Sequence, residues 1–501
     1  MSNLSDLLPA GGGAKVITAT ASGTIASGKP VVLNSDGTVS QVAQTAAGVG
    51  SEAVYNSAQG NYNSVAYDAT NDRIVAAYYL NSNNYGYAVV GSVSGTTITW
   101  GTPVVFKSHY TLDVCIAAGG GKVLIGYSSN SEGYYRAYVI VGTVSGTSIS
   151  FGSEVALDDN QGADGDLAYC PTRDRFAYAY SKNGGRISLR MISISGTTPS
   201  NAGGEYEPNG STNGGTPGLA AFASGGQDYL VLVYKNTASS SRATYNVAQV
   251  TSGSSYTALS LGSAGVVGTN NITRPRVAYD ASTTHVMMAY KANNSSGELQ
   301  IRGGSLDLSG KTVSWGTAVA VSGTAGVINN YGIDVAYDSN AQKVTLAYSG
   351  SSSTGQGTVN SVTLSGSGSS VTATLGTTIL FNGSSGLTDY ISVAYNSTLK
   401  NNAIVFTDQS NSNYGTGVVY SDISTNLTAT NFLGLADAAI SDTATGKINV
   451  KGSINSKQSS LTIGSDYYVQ SDGSVSTTST SPAVKIGQAV NATTINMMDL
   501  T

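Results

Sequence analysis

The sequence predicts an all-β fold, a seven-bladed β-propeller inserted in a small β-sandwich or barrel-like domain formed by both chain termini. Three observations carry this expectation. A motif ending in a marker aromatic recurs seven times along the middle of the chain. Each recurrence holds four apolar runs separated by Gly- and Ser-rich turns. The two flanks share a second, unrelated hairpin repeat. A fixed period of this length with four strands per unit describes propeller blades.

The repeat reads SVAYDATNDRIVAAY at Ser64–Tyr78, RVAYDASTTHVMMAY at Arg276–Tyr290 and DVAYDSNAQKVTLAY at Asp334–Tyr348. DLAYCPTRDRFAYAY (Asp166–Tyr180) and DVCIAAGGGKVLIGY (Asp113–Tyr127) fit the same frame, and segments ending at Tyr234 and Phe406 fit with small slips. The marker aromatics are thus Tyr78, Tyr127, Tyr180, Tyr234, Tyr290, Tyr348 and Phe406. After each marker come a polar loop, a third apolar run, a V-S-G-type turn and a fourth run, as in YGYAVVGSVSGTTITWGTPVVF at Tyr85–Phe106. β-Branched and aromatic runs bounded by Gly and Ser read as strands, and the S-G-T turns read as hairpins.

The last unit has three runs and lacks a fourth. An orphan run, VGSEAVY at Val49–Tyr55, precedes the first unit and resembles FGSEVAL at Phe151–Leu157. If the orphan, strand 50–55, completes the last unit by pairing with Tyr414–Ile423, the ring closes and no strand edge is left open. In the flanks, TIASGKPVVLNSDGTVS (Thr24–Ser40) aligns without a gap with SLTIGSDYYVQSDGSVS (Ser460–Ser476). The expected domains are therefore 1–48 and 425–501, forming one discontinuous β-domain, with the propeller at 49–424 between them.

Composition narrows the function classes. Of 501 residues, 62 are Gly and 31 are Tyr, and only 11 % are charged, with a net charge of −5. Scattered charge leaves no basic stripe for nucleic acid. No apolar run reaches the ~18–20 residues of a membrane span. The N-terminus shows no secretory pattern. Cys115 and Cys170 are the only cysteines and are expected to be reduced, as suits synthesis in a reducing cytoplasm. With His109 and His285 they lack metal-ligand spacing, so neither a metal nor another cofactor is expected.

LSDLLPAGGGAK, the SGKPVVLNSDGTVS hairpin and the C-terminal NFLGLADAAIS…TGKINVKGSINS…SLTIGSDYYVQSDGSVS resemble virion proteins of tailed bacteriophages, in particular marine, cyanophage-like ones. The V-G-T-V-S-G-T-S-I-S-F-G blade pattern is similar to repeats in tail-fibre-like proteins of those phages. The resemblance implies a structural virion component of the tail, present in many copies and held to other virion proteins by the terminal domain. A capsid-surface decoration protein is the alternative. The resemblance brings no enzymatic motif.

The candidate chemistry is sparse. A sialidase-type propeller needs an arginine cluster with a tyrosine and an acid. The arginines here do not recur at one place in the repeat, so a glycan-degrading enzyme is the second alternative. Asp68, Asp280 and Asp338 each follow a V-A-Y strand, and Asn396 takes the same place. An Asx turn explains all four without a ligand. Tyr62, Tyr85, Tyr110, Tyr134, Tyr331, Tyr390 and Tyr414 stand in loops among Asn, Ser and Gly. Rigid aromatic area beside small polar groups suits stacking on a host glycan or surface protein. The low charge suggests that neutral contacts prevail over ion pairs in such a site.

Overall fold

The computed structural model describes residues 15–130, 135–157, 162–182, 185–201, 204–208, 214–252, 259–293, 297–321, 331–350, 355–383, 387–480 and 482–497. These residues form no α-helix and fall into two units, 48–422 and, from the two ends together, 1–47 with 423–501.

In the larger unit, three-stranded antiparallel meanders follow one another along the chain. Their first, inner strands are Ala53–Asp68, Thr111–Gly119, Gly162–Cys170, Gly214–Ser224, Gly265–Asp280, Ile333–Asp338 and Thr388–Asn396. Each pairs with the strand that follows it, which in turn pairs with a third. The inner strands touch in cyclic order, and the one at Thr388–Asn396 returns to Ala53–Asp68. This is a propeller-type arrangement of antiparallel sheets about an axis.

The marker aromatics lie in the second strands and are all at most 3 % exposed. Four of their phenols, those of Tyr180, Tyr234, Tyr290 and Tyr348, are matched across to the third strand, and that of Tyr127 donates to Glu154. Tyr348 donates to Asn360 Oδ1 (2.9 Å) and Tyr290 to Gln300 Oε1 (3.0 Å), while Arg190 Nε donates to Tyr180 (2.9 Å). A buried hydroxyl needs such a partner, so the chain can place Tyr where Phe would serve packing alone.

The fourth run differs from the expectation of one continuous strand. Thr97–Trp100 and Val104–Lys107 both pair with Tyr85–Ser94, but a glycine, Gly101, breaks the run between them. The break has a physical cause. A Cβ on Gly101 would lie 2.1 Å from the carbonyl oxygen of Thr147, at the tip of the next hairpin. Gly152 meets Thr197 O in the same way (2.1 Å), as do Gly262 with Lys311 O (2.3 Å) and Gly316 with Val371 O (1.8 Å). Each hairpin tip thus docks on the bare backbone of its neighbour.

The orphan run behaves likewise. Gly48–Val49 and Ala53–Gln59 pair with Tyr414–Ser421, as the sequence led one to expect. Gly50 faces Thr96 O at 1.8 Å, again with no room for a side chain. The strand does not end there, however. It runs on as the inner strand of the first meander, and Gly265–Asp280 makes the same passage from one sheet to the next.

The smaller unit holds two five-stranded antiparallel sheets. One interleaves both ends of the chain in the order Val16–Thr20, Thr445–Val450, Phe432–Ala436, Pro30–Leu33, Val39–Gln41. The other lies within 454–496. They share an apolar cluster that includes Val32 and Leu435 from the first and Val469, Ile486 and Ile495 from the second. The two repeated hairpins lie here with matching turns. Thr38 N–H donates to Asp36 (2.9 Å) and Ser474 N–H to Asp472 (2.8 Å), and Gly37 and Gly473 take φ of 85° and 77°. Only glycine adopts that conformation at little cost.

Candidate functional site

The inner strands carry the site because of an irregularity. In six of them the ladder slips near the strand start, and one residue there takes left-handed backbone. These residues are Tyr62 (φ 52°), Asp113 (51°), Asp164 (42°), Thr216 (48°), Arg274 (45°) and Tyr390 (49°). The conformation costs a non-glycine residue roughly 1–3 kcal/mol. A bulge re-aims the side chain it carries. Here Tyr62, Asp113, Asp164, Arg274 and Tyr390 all line a cavity of about 220 Å³ to which all seven inner strands or the residues just before them contribute. It therefore lies on the ring axis.

Three tyrosines that the sequence placed in loops meet at this cavity, although Tyr62 and Tyr390 stand at bulges inside inner strands and only Tyr331 lies in a turn. The rings of Tyr62, Tyr331 and Tyr390 stand 4.7–5.1 Å apart, centre to centre. The Arg274 guanidinium lies 3.3 Å from the centre of the Tyr331 ring, and its Nη2 donates to Asp164 Oδ1 (2.7 Å). Cation–π contact and ion pair together fix Arg274, which is 8 % exposed. Burial first, then the neighbouring Asp164 charge, pushes Asp113 up to about 7 against the pull of Arg274. Burial likewise lifts Asp389, beside the cavity, to about 6 and holds the three phenols protonated.

One level deeper, the polar groups stitch strands together. Asp166 accepts from Leu219 N–H (2.8 Å) and Asp334 from Val393 N–H (2.9 Å), each on the next inner strand. Ser392 Oγ accepts from Val65 N–H (3.2 Å) across the seam where the ring returns to its start. Arg276 approaches Asp334 (3.7 Å) and donates to Pro217 O (3.2 Å). Burial lifts Asp166 to about 6 despite Arg276.

The remaining tyrosines are not part of this cluster. Tyr110, 38 % exposed, packs its edge on Tyr79 (5.9 Å), which in turn touches Tyr62 (6.3 Å). Tyr85 and Tyr414 begin third strands opposite Leu80 and Asp408. Tyr134 lies outside the described residues. The expectation that neutral contacts prevail does not describe the cavity, since its lining includes Arg274, Arg276 and four aspartates. Composition averaged over the whole chain hid this local concentration.

The other motifs are structural. Asp68, Asp280, Asp338 and Asn396 each accept two N–H groups from the turn that follows, as Asx turns do. Cys115 and Cys170 are free and buried, and burial pushes both thiols up. Among the described residues no cluster of His, Cys, Asp or Glu could hold a metal ion.

No family model and no curated protein matches this sequence. Among solved structures, the periplasmic gluconolactonase of Pseudomonas aeruginosa is similar over 73 % of this chain and 94 % of its own, with 10 % identity and a TM-score of 0.46. A Dyadobacter fermentans protein of unknown function (75 % and 99 % covered, 12 % identity, TM-score 0.43) and the GH93 α-L-arabinofuranosidase of Fusarium graminearum (74 % and 97 %, 11 %, 0.43) are similar too. These likenesses carry no argument about what this chain does.

Proposed function

We propose that this protein is a non-enzymatic attachment component of a tailed-phage virion, a seven-bladed propeller that binds host-surface glycan at its axial cavity. The observation that carries the binding role is the meeting of Tyr62, Tyr331 and Tyr390 around a polar cavity, Tyr62 and Tyr390 from two inner strands and Tyr331 from the turn just before a third. Aromatic faces beside hydrogen-bonding groups are what a sugar ring requires, with its C–H face on one side and its hydroxyls on the edge. The cyclic order of the inner strands supports seven blades. The phage-like terminal segments support the virion role, with the unit formed by both chain ends as the contact to other virion proteins. A single cavity binds weakly, so the function calls for many copies per particle.

The lining speaks against sugar cleavage of the sialidase type. It offers two arginines, both already engaged with aspartates, and phenols held protonated, where a gripping arginine cluster and an activated tyrosine would be needed. Two measurements test the proposal. Antibody against the protein should label tails of intact particles, and purified protein should bind host cells without releasing reducing sugar. Labelling of the capsid shell would move the protein to a decoration role, and sugar release would make it an enzyme.

A further inference from the structure

We infer that the axial cavity takes one sugar residue without a carboxylate and rejects sugars that carry one. This rests on the glycan-binding reading above and adds the class of sugar. Size gives the first argument. At about 220 Å³ the cavity is smaller than the ~300–1,000 Å³ typical of larger ligands, so it fits one ring and not a chain.

Charge gives the second. The lining holds Asp113, Asp164, Asp166 and Asp334 against Arg274 and Arg276. Arg274 is paired with Asp164 at 2.7 Å and Arg276 approaches Asp334 at 3.7 Å, so neither guanidinium is left to balance a further anion. The surplus is negative, and a carboxylate entering this poorly solvated space meets repulsion. An ammonium meets no such repulsion, so the charge argument separates sugars that carry a carboxylate from those that do not. What remains suits hydroxyls, which can donate to the aspartate oxygens and accept from the N–H groups of Arg274 that Asp164 does not use.

The groups facing Asp113 are Asp164, Arg274, the Ser128 hydroxyl, the Cys115 thiol and the uncharged phenols of Tyr62, Tyr178, Tyr331 and Tyr390. With Asp113 at about 7, the surplus is fullest above neutrality, so the test belongs at pH 8. Full-length protein would be tested against immobilised glycans ending in glucose, galactose or mannose, each paired with its uronate. The expected result is binding of at least one neutral member, about tenfold or more above its uronate. That ratio should shrink in Asp113→Asn, and in the unaltered protein at high salt. A uronate bound as well as its neutral partner would overturn the assignment while leaving glycan binding intact. So would a ratio that neither salt nor Asp113→Asn changes. Binding of no member of any set would instead overturn the glycan-binding reading itself.

Discussion

Closure of the ring depends on a glycine two residues from one that does not matter. A Cβ placed on Gly50 would lie 1.8 Å from the carbonyl oxygen of Thr96 and 2.8 Å from its carbon. Both are backbone atoms and cannot rotate away. Restoring an ordinary contact of ~3.4 Å requires the hairpin tip to back off by more than an ångström. That would loosen the seam where the closing strand meets the first meander. Overpacking of this kind costs about 1–3 kcal/mol. Gly48, on the same closing strand, has nothing within 4 Å of its Cβ position and no positive φ. There, Gly→Ala restricts the unfolded chain and should stabilise by about 0.4–1 kcal/mol.

The two substitutions are thus expected to act with opposite sign. Urea unfolding followed by tryptophan emission reads the effect directly, because both tryptophans, Trp100 and Trp315, lie in the ring unit. Trp100 also sits at the seam, its ring edge-on to Tyr55 at 5.1 Å and its Nε1–H donating to Ala53 O (3.1 Å). Gly50→Ala should lower the midpoint and Gly48→Ala should leave it unchanged or raise it. Equal midpoints for the two variants would refute the account of closure.

Two further outcomes follow from the buried polar groups. Between about pH 4, where an unfolded Asp loses its proton, and about 7, where Asp113 does so in the fold, the native state binds the extra proton. The proton count of the unfolded state is then the smaller, so this group makes stability fall as pH rises through that window. Asp113→Asn should match the parent at about pH 4 and below, where the side chain is protonated in both states, and gain on it steadily up to pH 8, as read by thermal unfolding across pH, and a constant difference would contradict the assignment. Tyr348→Phe leaves Asn360 Oδ1 without its donor inside a fully packed blade, and denaturant titration should show a loss of about 1–2 kcal/mol, against near zero if the hydroxyl is idle.

Most of the strand order was legible because burial imposes a fixed spacing. Each second strand must bury one large ring at the same depth, so Tyr78, Tyr127 and their successors mark the period. The hairpin tips and the glycines they dock on, such as Thr96 with Gly50, recur because a backbone carbonyl needs bare backbone opposite it. The site was less legible. Aligning Asp113–Tyr127 on Ser64–Tyr78 without a gap sets Asp113 beside Ser64, but the pairing sets Cys115 there and Asp113 at the bulge with Tyr62. The turn after Gly119 is two residues shorter than the one after Asp68, and an ungapped alignment cannot register that. Arg274 escaped for a related reason. Its position holds Tyr, Asp, Thr or Arg in different repeats, so self-similarity gives no signal. The Pro after Thr216 and Arg274 marks the break in the ladder there, since it cannot donate to the neighbouring strand.

The most direct test of the central claim is equilibrium binding of the host's surface polysaccharide by the unaltered protein, Tyr331→Ala and Tyr85→Ala, with near-UV circular dichroism to verify each fold. Tyr331 lies between Tyr62, Tyr390 and Arg274 at the cavity, whereas Tyr85 does not line it. Loss of the Tyr331 ring, which holds Arg274 and the rings of Tyr62 and Tyr390 in place at the cavity, should weaken binding by about tenfold or more. The account predicts that loss for Tyr331→Ala and unchanged affinity for Tyr85→Ala. Equal affinity of all three proteins, or a loss confined to Tyr85→Ala, would contradict it.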